Sequence, residues 1–231
     1  MKRFFYPCLG LVALFAQSSA WAADLPKELP PGPLLRKGGD RCAWQITFSY
    51  NPQPPQATEN PYLSAPPRKT TFTRTKAVWR AVTEGMNGKF LELCSDGKNE
   101  FIKSSALPAP TFVPTDDKGV RPPFLFDFGS GNYPDLDWIS AETFVKIQPL
   151  QSRTALVFVN GDTTAWIDAE TRFPIRWQRK GETRVFEQLP APSQAVELPA
   201  DVARLSADLK KASEALSRRA DRMRRLNSGA K

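Results

Sequence analysis

Trp44-Gln45-Ile46-Thr47-Phe48-Ser49-Tyr50 is the stretch that sets the fold class. Apolar and polar residues alternate along it without a break, with Trp44, Ile46, Phe48 and Tyr50 on one side and Gln45, Thr47 and Ser49 on the other. Successive side chains of an extended chain point to opposite faces. A period of two therefore describes a strand with one face buried in large apolar side chains and the other lined by small polar ones.

The same reading extends downstream. Thr70–Thr75 is threonine-rich and suits a strand, and Ala77–Thr83, Lys89–Cys94 and Glu100–Ser104 follow it as a meander. Asn87-Gly88 and Asp96-Gly97 punctuate that meander, because both dipeptides accept the positive φ that tight hairpin turns need. Leu107–Pro123 is a proline-rich loop. Phe124–Trp138 (FLFDFGSGNYPDLDW) then reads as a short apolar segment, a loop and one turn of helix. Thr143–Ile147, Thr154–Val159, Thr164–Asp168, Ile175–Arg179 and Thr183–Leu189 supply further strands, with turns at Asn160-Gly161 and Lys180-Gly181. About ten strands joined mostly by short turns predict a mainly β protein built on one large curved antiparallel sheet, an open half-barrel.

Proline marks the borders. The chain of 231 residues holds 22 prolines against 13 glycines, which implies long proline-rich loops. Pro26, Pro30, Pro31 and Pro33 make residues 23–40 an extended leader rather than a packed element. Asn51–Arg68 carries Pro52, Pro54, Pro55, Pro61, Pro66 and Pro67 and is a loop, serving either as a tether or in function. The sheet domain then occupies residues 41–200, and residues 201–231 form a long helix. Pro199 suits the first helical position, and Asp201 complements the positive end of the dipole. Val202, Leu205, Leu209, Ala212, Leu216, Ala220 and Met223 recur at three- and four-residue spacing as one apolar stripe. Lys210, Lys211, Arg218, Arg222 and Arg225 fall away from it, and Glu214/Arg218 and Asp221/Arg225 are favourable pairs.

Composition excludes several classes. Without histidine the chain can build neither a His-containing triad nor an imidazole metal site. Three cysteines are too few for an all-cysteine zinc site or for the thiolates of an iron–sulfur cluster. The net charge of +8 is uneven. Residues 201–231 carry nine basic and four acidic residues, whereas residues 23–200 stand near neutrality at +1. A nucleic-acid-binding body would carry a basic face of its own, so no nucleic acid is expected as a partner.

Met1–Ala22 reads as a secretory signal peptide. Lys2 and Arg3 form its charged start, Phe4–Phe15 its apolar centre and Ala20-Trp21-Ala22 its small-residue cleavage site. The protein is therefore expected to be exported, periplasmic or extracellular, and soluble after cleavage. In an oxidising compartment Cys42 and Cys94 are expected to pair. The alternative is two buried free thiols. Such a bridge would close a loop of about 50 residues and contribute about 4 kcal/mol on a chain-entropy basis.

One stretch carries a family resemblance. Ala165-Trp166-Ile167-Asp168-Ala169-Glu170-Thr171-Arg172-Phe173-Pro174-Ile175-Arg176, with the continuation Val185–Pro199, resembles the hairpin of the periplasmic lipoprotein-carrier (outer-membrane lipoprotein-sorting) and RseB-like superfamily. The local physics is simple. Asp168 can accept from the backbone of the turn, Thr171 can cap it, and Pro174 can start the next strand where no donor is needed. The resemblance covers about 35 residues, Ala165–Pro199, and it implies an open β half-barrel whose apolar concave face, lidded by helices or loops, takes acyl chains. The chain departs from that family in its many prolines and its long C-terminal helix.

The residues expected on such a face are Trp44, Ile46, Phe48, Val78, Val82, Phe90, Leu156, Phe158, Trp166, Ile175, Trp177 and Phe186, with one side of a packed core as the leading alternative. Asp127, Asp135 and Asp137 sit close together near Gly129 and Gly131 and could supply oxygens to calcium, or a carboxylate pair to a hydrolase, although the spacing matches no EF-hand. The leading expectation is a non-enzymatic, cofactor-free exported protein that binds an apolar ligand, an acyl lipid or a lipidated partner. Against it stands an envelope interaction module with a filled sheet core. That module would touch an envelope protein or an anionic membrane surface through the basic helix bearing Arg218, Arg222 and Arg225.

Overall fold

The computed structural model describes residues 28–50, 68–85, 88–113, 126, 128 and 133–228. The expected signal peptide, the loop over 51–67, Asn87, Asp127, Gly129 and Gly131 lie outside the described residues. The strands are β1 (Arg41–Tyr50), β2 (Arg68–Thr75), β3 (Val78–Glu84), β4 (Phe90–Ser95), β5 (Glu100–Ser104), β6 (Thr111–Phe112), β7 (Phe144–Leu150), β8 (Arg153–Asn160), β9 (Thr163–Asp168), β10 (Pro174–Arg179) and β11 (Glu182–Leu189), followed by the helix α1 (Ala200–Ser228). They form one eleven-stranded sheet in the order β6-β5-β4-β3-β2-β1-β11-β10-β9-β8-β7, antiparallel throughout and not closed into a barrel. The two-residue β6 lies within the loop expected over Leu107–Pro123.

Two meanders meet at the centre. The chain starts on the central strand β1 and steps outward to the edge at β6. It resumes at the opposite edge with β7 and steps back until β11 pairs with β1. The connection from β6 to β7 therefore joins the two opposite edges of the sheet. Residues of this crossing lie on the face that carries Trp44, Ile46 and Phe48. There Phe126, Phe128, Tyr133, Leu136, Trp138 and Ile139 join the same apolar cluster.

The strand register explains how that cluster forms. Trp44 lies opposite Phe72, which lies opposite Ala81, which lies opposite Leu93. On the other side Ile46 lies opposite Phe186 and Phe48 opposite Arg184, which lies opposite Trp177. Period-two alternation thus becomes one continuous buried face across β1–β4 and β9–β11. A second cluster of Ile147, Leu156, Phe158 and Ile167 continues it over β7–β9.

The leader corrects one expectation, because it is packed. Leu29, Leu34 and Leu35 lie against the β7–β9 cluster, and Leu35 also touches the central one. Its backbone is tied down as well: the Arg36 N–H donates to the Arg172 carbonyl at 2.9 Å, and Arg172 Nη2 donates to the Pro31 carbonyl at 3.2 Å.

The opposite face is covered after β11. Arg41 donates to the carbonyl of Ser193, the Val196 N–H donates to Thr75 Oγ1, and Arg80 donates to the carbonyl of Glu197. Residues 192–197 thereby cross β1, β2 and β3 in turn and deliver α1 to β4 and β5. Val202, fully buried, packs there with Cys94 and Phe101, flanked by Leu198, Leu205 and Leu209. A Lys103–Asp201 ion pair at 2.7 Å and a hydrogen bond from Ser206 to Asp96 fasten the first two turns.

Candidate functional site

The face that carries Trp44 is filled with aromatic rings. Trp44 stacks on Phe72 with centroids 4.7 Å apart, and Phe128, 2% exposed, lies 5.6 Å from Phe72, 5.7 Å from Trp44 and 6.0 Å from Trp79. Tyr133 meets Phe173 edge-on at 5.3 Å. Offset and edge-on contacts of this kind each add about 0.5–1.5 kcal/mol beyond the area they bury.

Arg184 pins the crossing loop from below. It is 5% exposed, and its guanidinium lies 4.0 Å over the Trp177 ring and 5.1 Å from Phe126. Its Nη1 donates to Asp135 Oδ2 at 2.6 Å and its Nε to Glu182 Oε1 at 2.7 Å. A charge this deep is tolerated because it lies against the rings of Trp177, Phe126 and Phe48 and its Nε and Nη1 are bonded to carboxylates. Asp135 is thus committed to Arg184, and Asp137 is exposed. Among the described residues no three Asp, Glu, Cys or His side chains gather as metal ligands.

Of the residues expected on the apolar face, Trp44, Ile46, Phe48, Leu156, Phe158, Trp177 and Phe186 lie on it. Val78, Val82, Phe90 and Trp166 do not, and their placement corrects the reading. Register puts Trp79 and Ala81, not Val78 and Val82, beside Phe72, and puts Leu91 and Leu93, not Phe90, in line with them. Trp166 pairs with Arg176 on the other face, where the Arg176 guanidinium lies 5.3 Å over its ring. Ile175 is buried at a bulge between Pro174 and Arg176 and lies outside the central cluster.

The β9–β10 turn is built by its own side chains. Asp168 Oδ1 accepts from the N–H groups of Glu170 at 3.0 Å and Thr171 at 2.8 Å, and Thr171 Oγ1 accepts from the Phe173 N–H at 3.3 Å. Arg172 adopts φ +60°, and Pro174 opens β10.

The expected disulfide is absent, which corrects that expectation. Cys42 and Cys94 are both free thiols. Cys42 shares the Trp44 face of β1, and the rungs Cys42–Arg74, Arg74–Trp79 and Trp79–Ser95 carry that face to Ser95 on β4. Cys94, the next residue, therefore points to the opposite face, against α1. Three strand spacings, about 14 Å, separate the two as well, well beyond the ~7 Å limit for bridging. Burial, helped by the neighbouring Glu92 carboxylate, pushes the Cys94 thiol up to about 12. Cys94 is a protonated core residue at neutral pH.

The other candidate is α1 itself. Its first turns are docked, but every residue from 210 to 225 is exposed. This stretch carries Lys210, Lys211, Arg218, Arg219, Arg222, Arg224 and Arg225 against Glu214 and Asp221. Arg218 pairs with Glu214 at 3.6 Å and Arg224 with Asp221 at 3.9 Å, leaving a net positive surface. Leu216 (66% exposed) and Met223 (54% exposed) continue the stripe of Val202, Leu205 and Leu209 past the last docked turn. No described helix is long and apolar enough to cross a membrane. Neither the family models nor the curated proteins searched gave a match to this chain.

Proposed function

We propose that this protein is an exported, non-enzymatic envelope module whose sheet is a filled scaffold and whose C-terminal helix lies on an anionic phospholipid surface. The observation that carries the reading is the contrast within α1. Val202, Leu205 and Leu209 are used in docking, while the same stripe at Leu216 and Met223, flanked by seven cations, is left in solvent. Basic amphipathic helices bind such surfaces by charge attraction plus insertion of the apolar stripe. Here Ala212 and Ala220 make the stripe shallow, so charge supplies most of the binding, which is reversible and sensitive to salt. The test is sedimentation of residues 23–231 with vesicles of phosphatidylglycerol or of phosphatidylcholine. Binding is expected to the anionic vesicles only, to fall at high salt and to vanish on truncation after Leu209. Equal sedimentation of the truncated chain would overturn it.

A second reading draws on the resemblance to lipoprotein carriers and on the loop that fills the concave face. The aromatic plug comes from a single crossing segment rather than from a second sheet, so an acyl chain could take its place on Trp44, Phe48 and Trp177. Acyl lipid recovered from protein purified without detergent supports this reading, and its absence together with failure to take up an apolar dye refutes it.

A further inference from the structure

A pocket of about 270 Å³ opens where β1 begins and β11 ends, beneath the leader. Its rim carries Arg36 and Lys37, and among the described residues no Asp or Glu lines it. Its floor is the inner edge of the aromatic core: Trp44, Tyr133 and Phe173. Among the described residues Arg36 and Lys37 make no ion pair, and Arg41 donates to the carbonyls of Pro192 and Ser193. Arg36 stands close enough to Tyr133 to act on its phenol: burial pushes that group up, and the guanidinium pulls it the other way.

The leader frames the opening without depending on a ligand. It is held on one side by the Arg36 N–H on the Arg172 carbonyl and on the other by the Lys76 N–H on the Asp40 carbonyl. Lys37-Gly38-Gly39 spans the gap between these ties, so the cations sit on a tethered strap over an apolar floor. The volume lies just under the ~300–1,000 Å³ usual for small-molecule sites, which sets the ligand at about the size of one substituted ring.

We propose that this pocket binds a small organic monoanion with an aromatic body, its charged head between Arg36 and Lys37 and its ring against Trp44 and Tyr133. An aromatic floor alone would favour neutral rings, and a cationic rim alone would favour bare inorganic anions. The pairing of the two selects a molecule that carries both features. This site is independent of the membrane-binding helix, which lies across the sheet on β4 and β5.

The test uses phenylacetate, its neutral twin phenylacetamide and its ringless twin acetate, each titrated into residues 23–231 and followed by the tryptophan indole N–H signals. Cys42, half-buried on the pocket wall, gives a second readout through its rate of alkylation, while Cys94 is buried on the other face. Phenylacetate is expected to bind about tenfold more tightly than either twin and to slow alkylation of Cys42. Arg36→Gln with Lys37→Gln, both at exposed positions, is expected to remove that tenfold preference, and Lys146→Gln, exposed on the edge strand β7, to leave it intact. Phenylacetamide binding as well as phenylacetate, no saturable binding with Cys42 alkylated at an unchanged rate, or an unaltered preference in the double variant would each overturn the proposal.

Discussion

Phe128→Ala separates a filled core from a hollow carrier face most sharply. Phe128 is 2% exposed and contacts the rings of Trp44, Phe72, Trp79 and Phe126 at centroid distances of 5.7, 5.6, 6.0 and 6.1 Å. Truncating it removes the transfer free energy of a buried benzyl group and several ring contacts, and it leaves a cavity that four bulky neighbours cannot close. Phe→Ala changes at such sites cost about 3–5 kcal/mol. For a domain stable by about 5–15 kcal/mol this is a large share, and it shows as a lower urea midpoint at unchanged slope. Leu216→Ala, at an exposed helix position, is the control and should stay within about 0.5 kcal/mol. A loss under about 1 kcal/mol for Phe128→Ala, with dye uptake rising, would refute the reasoning. It would mean that the crossing loop rests on the face as a lid and is not part of its core.

Further outcomes follow from particular contacts. Val202→Asp puts a carboxylate where Val202 is fully buried against Cys94 and Phe101, so α1 should detach while the sheet persists, and thiol reagents should reach Cys94 faster than in the parent. Denatured, unreduced protein should titrate with both Cys42 and Cys94 free. Gly97→Ala should destabilise by about 2 kcal/mol, because φ is +92° and the added methyl would lie 2.8 Å from Ala77 Cβ; Gly161→Ala, with φ +59° and open space, should cost less in the same urea assay. Acid should release the helix. Burial alone would raise the Asp96 carboxyl, but hydrogen bonds from Ser206 and from the N–H groups of Asn99 and Lys98 hold it below its ordinary value, and a hydrogen bond from Lys103 lowers Asp201. Folded-state values below the unfolded ones stabilise docking above the unfolded value of about 3.9, and this contribution is lost as pH falls through the folded value. Amide exchange over residues 200–209 should therefore accelerate below about pH 4, ahead of exchange in β1.

The sheet was legible where one face was wet. β1 alternates because its outer face needs only Gln45 and Thr47, and the Asp96-Gly97 turn carries its own signal in a side chain that accepts from the N–H groups of Lys98 and Asn99. Alternation blurred where both faces are covered. On β3 and β4 the segment after β11 and the helix lie over the outer face, so Val78, Val82, Phe90 and Cys94 are as apolar as their inward neighbours. Period two cannot then tell inside from outside. Trp166 misled for a related reason, since Arg176 shields its ring on the outer face.

The filled face depends on strand order. β6 and β7 stand at opposite edges and the described residues between them pack on the Trp44 face, and nothing in Phe124–Trp138 states that order. The cysteine pairing failed for the same reason, because the face and distance of Cys94 follow from register three strands away. Arg36 and Lys37 read as part of an extended leader, and what holds them over the pocket, the ties of that leader to Arg172 and Lys76, is set by residues far along the chain. The helix was different. Its three- and four-residue spacing and its cations are local properties, and the sequence alone places them.

The central claim, that the free half of α1 lies on an anionic surface, is tested most directly by a reporter on the helix itself. Leu216→Cys, in a Cys42→Ser background, would carry an environment-sensitive fluorophore, with the buried Cys94 left in place. On addition of phosphatidylglycerol vesicles the emission should shift to the blue, revert at high salt and stay unchanged with phosphatidylcholine. A reporter that stays in water while the protein sediments with the vesicles, or that shifts equally with neutral lipid, would contradict the account.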